Sequence, residues 1–503
     1  LAAGCGKVSA IDALAAAGAD INLRTTTNDT SALDLAAQNG EVDAMNALIR
    51  NGANVRAGNA SGYTALYFVA DDNQAASIDF LVGAGADVNH GADKDFASST
   101  GATPLHMAAE YGRLPALNAL VEAGADVCRR TLNNESALDL AAGKGHVAVL
   151  KALIWHGVNV NASDARGHSP LYKAAARNRV AAVRALIEAG ADVHGLAQEW
   201  TPLDASCEAG AADAIAALAE LGADLTRTNR NGLIPLQLAV NEGHFDAVNA
   251  LLAAGADPNQ ESDEDWVLYT AIVRERRDIL ASLLVHGADV NKEILGRLTT
   301  LHVAVELQDA GVVNALLGAG ADVNNGISHD DMSALHLACM ARSTDIMLTL
   351  LSHGASIGVR DENGMSPLHH AAEFCVRRDQ GTERVDALLR AGADETARDS
   401  DGLTPAELAR KIFLDETRRD ALARVTKALE RAPADRAWRR RGTVLMCPKR
   451  AEWEGRAGDY VVARKVGAGR SSEEEDSGNF GGLMSRLFAL KEEGLFRTVV
   501  GFL

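Results

Sequence analysis

The chain has 503 residues, more than one hydrophobic core normally serves, so it must divide into domains or into an array of units that pack only on their neighbours. Its composition, 47% hydrophobic but only 4% aromatic, with 46 Gly against 10 Pro, suits short helices broken at frequent turns and excludes a disordered chain. The net charge of −19 becomes −22 over residues 1–432, because residues 433–503 hold 13 Lys/Arg against 10 Asp/Glu. A field of that sign repels phosphate backbones and anionic lipid, so residues 1–432 are not expected to bind nucleic acid, and basic proteins fit them better.

Six cysteines without a CxxC pair point to reduced thiols and a cytoplasmic location, with the nucleus a second option. No apolar run reaches the roughly 18 residues a membrane span needs. The chain opens at Leu1 without a Met, and a signal segment upstream would not be visible.

The first residues, "LAAGCGKVSAIDALAAAGAD", align with "LDLAAQNGEVDAMNALIRNGAN" from Leu33, so they read as the middle and end of a unit whose opening is missing. "GCGK" at Gly4 to Lys7 imitates the end of a phosphate loop, but its phase makes it a turn between helices and Val8 replaces the required Ser or Thr. From there Gly-Ala-Asp/Asn recurs, anchored at Gly18, Gly52, Gly85, Gly124, Gly157, Gly190, Gly222, Gly255, Gly287, Gly320, Gly354 and Gly392, at intervals of 32 to 39 residues. Ahead of most of these glycines stands a second motif: "TALYFVA" at 64, "TPLHMAA" at 103, "SALDLAA" at 136, "SPLYKAA" at 169, "TPLDASC" at 201, "IPLQLAV" at 234, "TTLHVAV" at 299, "SALHLAC" at 333 and "SPLHHAA" at 366.

The chemistry of one unit is legible. Thr or Ser before Pro predicts an N-cap, with Pro at a first helical position whose amide has no partner to lose. A small-residue helix follows, as in "ALDLAAGKG" from Ala137, and then a helix with a fuller apolar stripe, as in "HVAVLKALIWHG". The closing glycine predicts a left-handed cap, and a glycine two residues before the Thr position, such as Gly62, predicts a hairpin turn.

This pattern resembles the ankyrin repeat over residues 1–432. The resemblance implies an all-α solenoid of about thirteen stacked helix-turn-helix units with short β-hairpin-like loops, the first unit truncated. It implies that the motif's His bonds to its Thr and to nearby backbone. Frame supports the same conclusion: His106, His302, His336 and His369 share a position that Tyr172, Asp204, Gln237 and Tyr269 fill elsewhere, as no catalytic group or metal ligand would allow. With no GxSxG, HExxH or EF-hand pattern, no enzyme activity, metal site or cofactor is expected.

Four departures stand out. About six residues are added before Thr103 ("HGADKDFASST") and about five inside the twelfth unit ("EFCVRRDQGTE"). The ninth unit is eroded, with Trp266 at the capping position. The thirteenth, from Thr404, puts Glu407 in the His frame and reads as a terminal cap.

In the family, the residues one, three and four before the Thr and seven and eight after it line a concave groove. Carried onto this chain, they mark Tyr63, Tyr111, Arg166, His168, Arg177, Trp200 and Asp265 as partner contacts; Trp266 joins them, and Lys173 lies close by as a surface residue of a first helix. Tyr, Trp and Arg are the types that dominate binding hot spots.

Residues 433–503 leave the period and are expected to be partly disordered and poor in regular structure. They carry a basic cluster around Trp438, an acidic, mobile linker at 467–479 and an amphipathic helix at the end. The expected function is a monomeric protein-binding scaffold; the alternative is an adaptor that recruits substrates to a ubiquitin ligase or another enzyme complex through the 433–503 tail.

Overall fold

The computed structural model describes residues 1–26, 29–92, 101–195, 197, 199–260, 266–294, 298–325, 331–341, 343–378, 381–411 and 419–431. The expectations for the tail and for most of the loop before Thr103 lie outside them. Among the described residues there are 25 α-helices and one two-stranded sheet of two residues per strand, Glu293–Ile294 and Leu298–Thr299. Each unit is a pair of short helices. Pro104–Glu110 and Leu114–Glu122 are typical, and the first helix of each unit packs on the first helices of its neighbours, the second on the second. One apolar core runs through the stack from Ala3 to Leu429, so each unit is stabilised by what it buries against the next.

The capping chemistry explains where the first helices begin. Ser136 Oγ accepts the Asp139 amide at 3.2 Å while Asp139 Oδ2 accepts the Ser136 amide at 2.7 Å, a reciprocal box that satisfies two otherwise orphan donors. Thr201 with Asp204 and Ser31 with Asp34 repeat it. His plays the acid's part in four units: His106 Nδ1 lies 2.8 Å from Thr103 Oγ1 and accepts the Thr103 amide at 3.2 Å, and His302, His336 and His369 do the same. The His frame is therefore structural, as the resemblance implied. Burial pushes the ring pKa of His106, His302 and His336 down to about 4, so each is a neutral core residue.

The second helices end on the predicted glycines. Gly157 has φ +83° with open space where a Cβ would sit, so the backbone conformation alone demands glycine there. Cys207, Cys339 and Cys375 are buried. In the twelfth unit the added residues lengthen the first helix to Pro367–Arg377.

Two ladders tie neighbouring units through side chains that the sequence did not single out. The Asn that closes Gly-Ala-Asp-Val-Asn reaches the next unit: Asn161 Nδ2 donates to the Gly190 carbonyl at 3.1 Å and its Oδ1 accepts the Asp192 amide at 2.8 Å. Asn291 and Asn324 repeat both bonds one unit at a time. At the hairpins, Arg130 Nη1 joins the Asn134 carbonyl of its own turn to the Ser163 carbonyl of the next.

Candidate partner-binding groove

The residue immediately before the N-cap of a first helix is held on both sides. In the sixth unit Asp164 donates its amide to the His168 carbonyl at 3.0 Å, and its Oδ1 accepts the amides of Arg166 and His168, both at 2.9 Å. Asn59 does this for Tyr63, Asn229 for Leu233 and Asp361 for Met365. A third restraint arrives from the preceding unit, where His336 Nε2 lies 3.1 Å from the Met365 carbonyl and His369 Nε2 lies 3.1 Å from that of Leu403. In these two units the motif's His thus also holds the next unit's groove residue, whereas Nε2 of His106 and of His302 is buried without a hydrogen-bond partner.

Four of the nine expected contacts come together. Tyr63, Tyr111, Lys173 and Arg177, from the third, fourth and sixth units, line one concavity of about 410 Å³ together with Tyr67, Met107, Glu110, Glu135, Asp139, Leu140 and Lys144. Tyr63 stacks on Tyr67 with centroids 4.1 Å apart, Tyr111 is 46% exposed, and the exposed Arg177 lays its guanidinium over Gly143, where a Cβ would collide with it. Burial raises the phenol pKa of both Tyr67 and Tyr111, with added repulsion from Tyr63 at Tyr67 and from Glu110 at Tyr111, so both rings stay neutral.

Lys173 corrects its expectation. Placed as a surface residue, it is only 9% exposed: Nζ lies 2.7 Å from Glu135 Oε1 and 2.9 Å from Asp164 Oδ2, with Asp139 close enough to add its field. Burial alone would lower its pKa, but the three carboxylates outweigh that and hold it above its ordinary value. Asp164 is likewise pushed up by burial and then brought below the carboxylate range by Lys173 and the two hairpin amides. Most units place an apolar side chain in this frame, such as Met107, Leu140 or Leu238. The twelfth unit repeats the arrangement with His370, whose Nε2 lies 2.7 Å from Asp361 Oδ2.

The remaining expected contacts are placed as follows. His168 stacks on Tyr172 at 4.4 Å, and Arg166 is exposed at the tip of the same hairpin. Trp200 and Trp266 are half-buried against the core; Trp200 Nε1 is buried without a hydrogen-bond partner, and Lys292 Nζ lies 3.1 Å from the Trp266 ring centroid. Trp266 makes no side-chain cap. Asp265 lies outside the described residues. The sequence reading missed Glu135, although it occupies the same frame as Trp200, and it missed Lys144 and Tyr67.

Among the described residues no group of three His, Cys, Asp or Glu is placed to hold a metal ion, and no helix is long and apolar enough to cross a membrane.

Comparison with known proteins agrees with this architecture. Family models for ankyrin repeats match residues 1–92, 138–229, 226–294 and 301–399, and a second such model matches 105–154. The chain is 30% identical over 158 residues to an ankyrin repeat protein of fowlpox virus, covering 30% of this chain and 45% of that protein. It is 31% identical over 168 residues to an L-asparaginase of Dirofilaria immitis, covering 33% of this chain and 28% of the enzyme. The chain therefore spans less than half the length of each. Among solved structures it is similar to the human ASB11 ankyrin repeat domain, at 28% identity and a TM-score of 0.40, covering 44% of this chain and 99% of that domain. With family models matching most of residues 1–399 and the capping boxes, left-handed glycines and stacked helix pairs all in phase, the chain belongs to the ankyrin-repeat family.

Proposed function

We propose that the chain is a non-enzymatic scaffold that binds partner proteins in the groove of its units. Ankyrin repeats are protein-interaction modules, and the observation that carries the reading is the convergence of Tyr63, Tyr111 and Arg177 on one concavity, beside the buried Lys173. The motif's histidines and acids, by contrast, are held in capping bonds. The charge of −22 over residues 1–432 favours basic partners. The described cysteines are free, which suits a reducing compartment such as the cytoplasm or nucleus. We read the array as monomeric.

The test is a cross-linking pull-down from source cells with the double variant Tyr111→Ala, Arg177→Glu. It should fold normally and lose its partner. Undiminished capture would remove the groove as the binding face. The adaptor alternative adds the tail: deleting 433–503 should then release an enzyme complex while substrate binding persists, and retention of both removes it.

A further inference from the structure

The frames that line the groove in units three to six can be followed further along the chain. Immediately before the N-cap of the first helix, those four units carry Tyr63, Ala102, Glu135 and His168, a mixed row. In the units that follow, the same frame carries Trp200, Leu233, Leu298, Met332, Met365 and Leu403, all half-buried. The ninth unit interrupts the row with Asp265, which lies outside the described residues, and Trp266 next to it is half-buried. The row sits on a fixed backbone, since Asn229, Asp361 and Asp399 accept the amides of Leu233, Met365 and Leu403 at 3.2, 2.8 and 2.8 Å. Little ordering is left for a ligand to bring about.

Charge changes along the same line. In units three to six the groove wall carries both signs, Asp71, Asp72 and Glu110 with Lys144 and Arg177, three acids against two bases. The corresponding wall frames of units seven to twelve carry Glu208, Glu242, Glu306 and Glu373 against one base, Arg274, with Glu373 paired to Arg377. An apolar row bordered by acids is complementary to apolar side chains flanked by bases.

Spacing selects the conformation of the occupant. Stacked helices stand about 8–10 Å apart, so the row offers one apolar contact at each such step except the ninth unit's, where Asp265 stands in the frame. A polyproline II segment has three residues per turn and a rise of about 3.1 Å, so it presents every third side chain on one face at about 9.3 Å. A β-strand turns every third side chain to the opposite face. An α-helix matches the step only every seventh residue, and its face drifts by about 20° each time.

From this we infer that units seven to twelve hold an extended, polyproline II-like protein segment with an apolar residue at every third position and Lys or Arg between. This rests on the proposed groove-binding function and names the class of partner for one half of the groove.

The test uses the full chain and fluorescein-labelled synthetic peptides in anisotropy titrations. A (Leu-Pro-Lys)5 peptide should bind. A (Leu-Pro-Pro-Lys)4 peptide, with apolar residues at every fourth position, and a (Leu-Pro-Glu)5 peptide should each bind at least about tenfold more weakly, a difference of about 1.4 kcal/mol. Reversing the exposed Glu208 and Glu242 to Lys should weaken (Leu-Pro-Lys)5 and strengthen (Leu-Pro-Glu)5. Leu233→Ser with Met332→Ser should abolish binding, provided circular dichroism shows the fold intact.

Equal affinity for the two spacings, tighter binding of an amphipathic helical peptide with the same Leu and Lys content, indifference to the Glu reversals, or no binding of (Leu-Pro-Lys)5 would each overturn the inference. Loss of partner capture by the Tyr111, Arg177 variant is a separate result, so failure of the phasing leaves the broader groove function standing.

Discussion

The two halves of the groove are built on one scaffold and finished differently. In units three to six the row ahead of the N-caps is mixed, Tyr63, Ala102, Glu135 and His168, and the wall carries acids and bases together, with Lys173 buried among three carboxylates. In units seven to twelve the same row is Trp, Leu and Met apart from Asp265, and the wall carries four acids against one base. Yet the capping boxes, the left-handed glycines and the Asn ladder run through both. Positions that build the unit are therefore set by local chemistry, and positions the unit leaves free differ from end to end.

The comparison breaks most sharply at Lys173. Lys173→Ala leaves Glu135, Asp139 and Asp164 facing one another in a buried site, and chemical denaturation should show a loss of about 3–5 kcal/mol. In the other half the same frame holds Leu238, fully packed, and Leu238→Ala should cost about 2–4 kcal/mol through the cavity it leaves. The two losses differ in kind. Replacing Lys173 by Met together with Asp164→Asn and Glu135→Gln should recover much of the first, whereas no polar rescue exists for the second.

Acid should act on both halves through the buried histidines. A His held at about 4 when folded and near 6.5 when unfolded binds its proton more readily in the unfolded chain, so stability is full above about pH 6.5 and is lost as pH falls toward 4. Each such His should contribute a slope of up to about 1.4 kcal/mol per pH unit. Asp34, Asp139 and Asp204, raised by burial, slope the opposite way and become less costly as they protonate. The His term is isolated by His106→Gln, a residue the eighth unit already uses at Gln237; the variant should lose less stability than the parent between pH 6.5 and 4.5.

The Asn ladder should give the smallest effect on stability. Asn161→Ala and Asn291→Ala should each cost about 1 kcal/mol in thermal or chemical unfolding, and by similar amounts, because the bonds they remove are the same in both halves. A clear inequality would mean that the scaffold is not shared as described.

How much of this was legible follows from the range of each interaction. His106 could be assigned from sequence because its partner Thr103 lies within one turn and the pair recurs in phase. The frames of Tyr63, Tyr111 and Arg177 came from the family resemblance, which says which positions line the groove. The burial of Lys173 was not, since its partner Glu135 lies 38 residues away in another unit and neither residue recurs in those frames. The Asn ladder recurs visibly, but its bonds cross between units, and sequence spacing alone gives no geometry for that crossing. Trp266 read as a failed cap, and only the structure places Lys292 over its ring.

The central claim is that the groove, built from positions the repeat leaves free, is where partners bind. A photo-cross-linking amino acid placed at Tyr111 tests it directly against the same residue at Trp155, which is 82% exposed at the end of a second helix and lies outside the groove. In source-cell extract the account predicts partner adducts from position 111 and none from 155. Equal yield from both positions, or adducts from 155 alone, would contradict it.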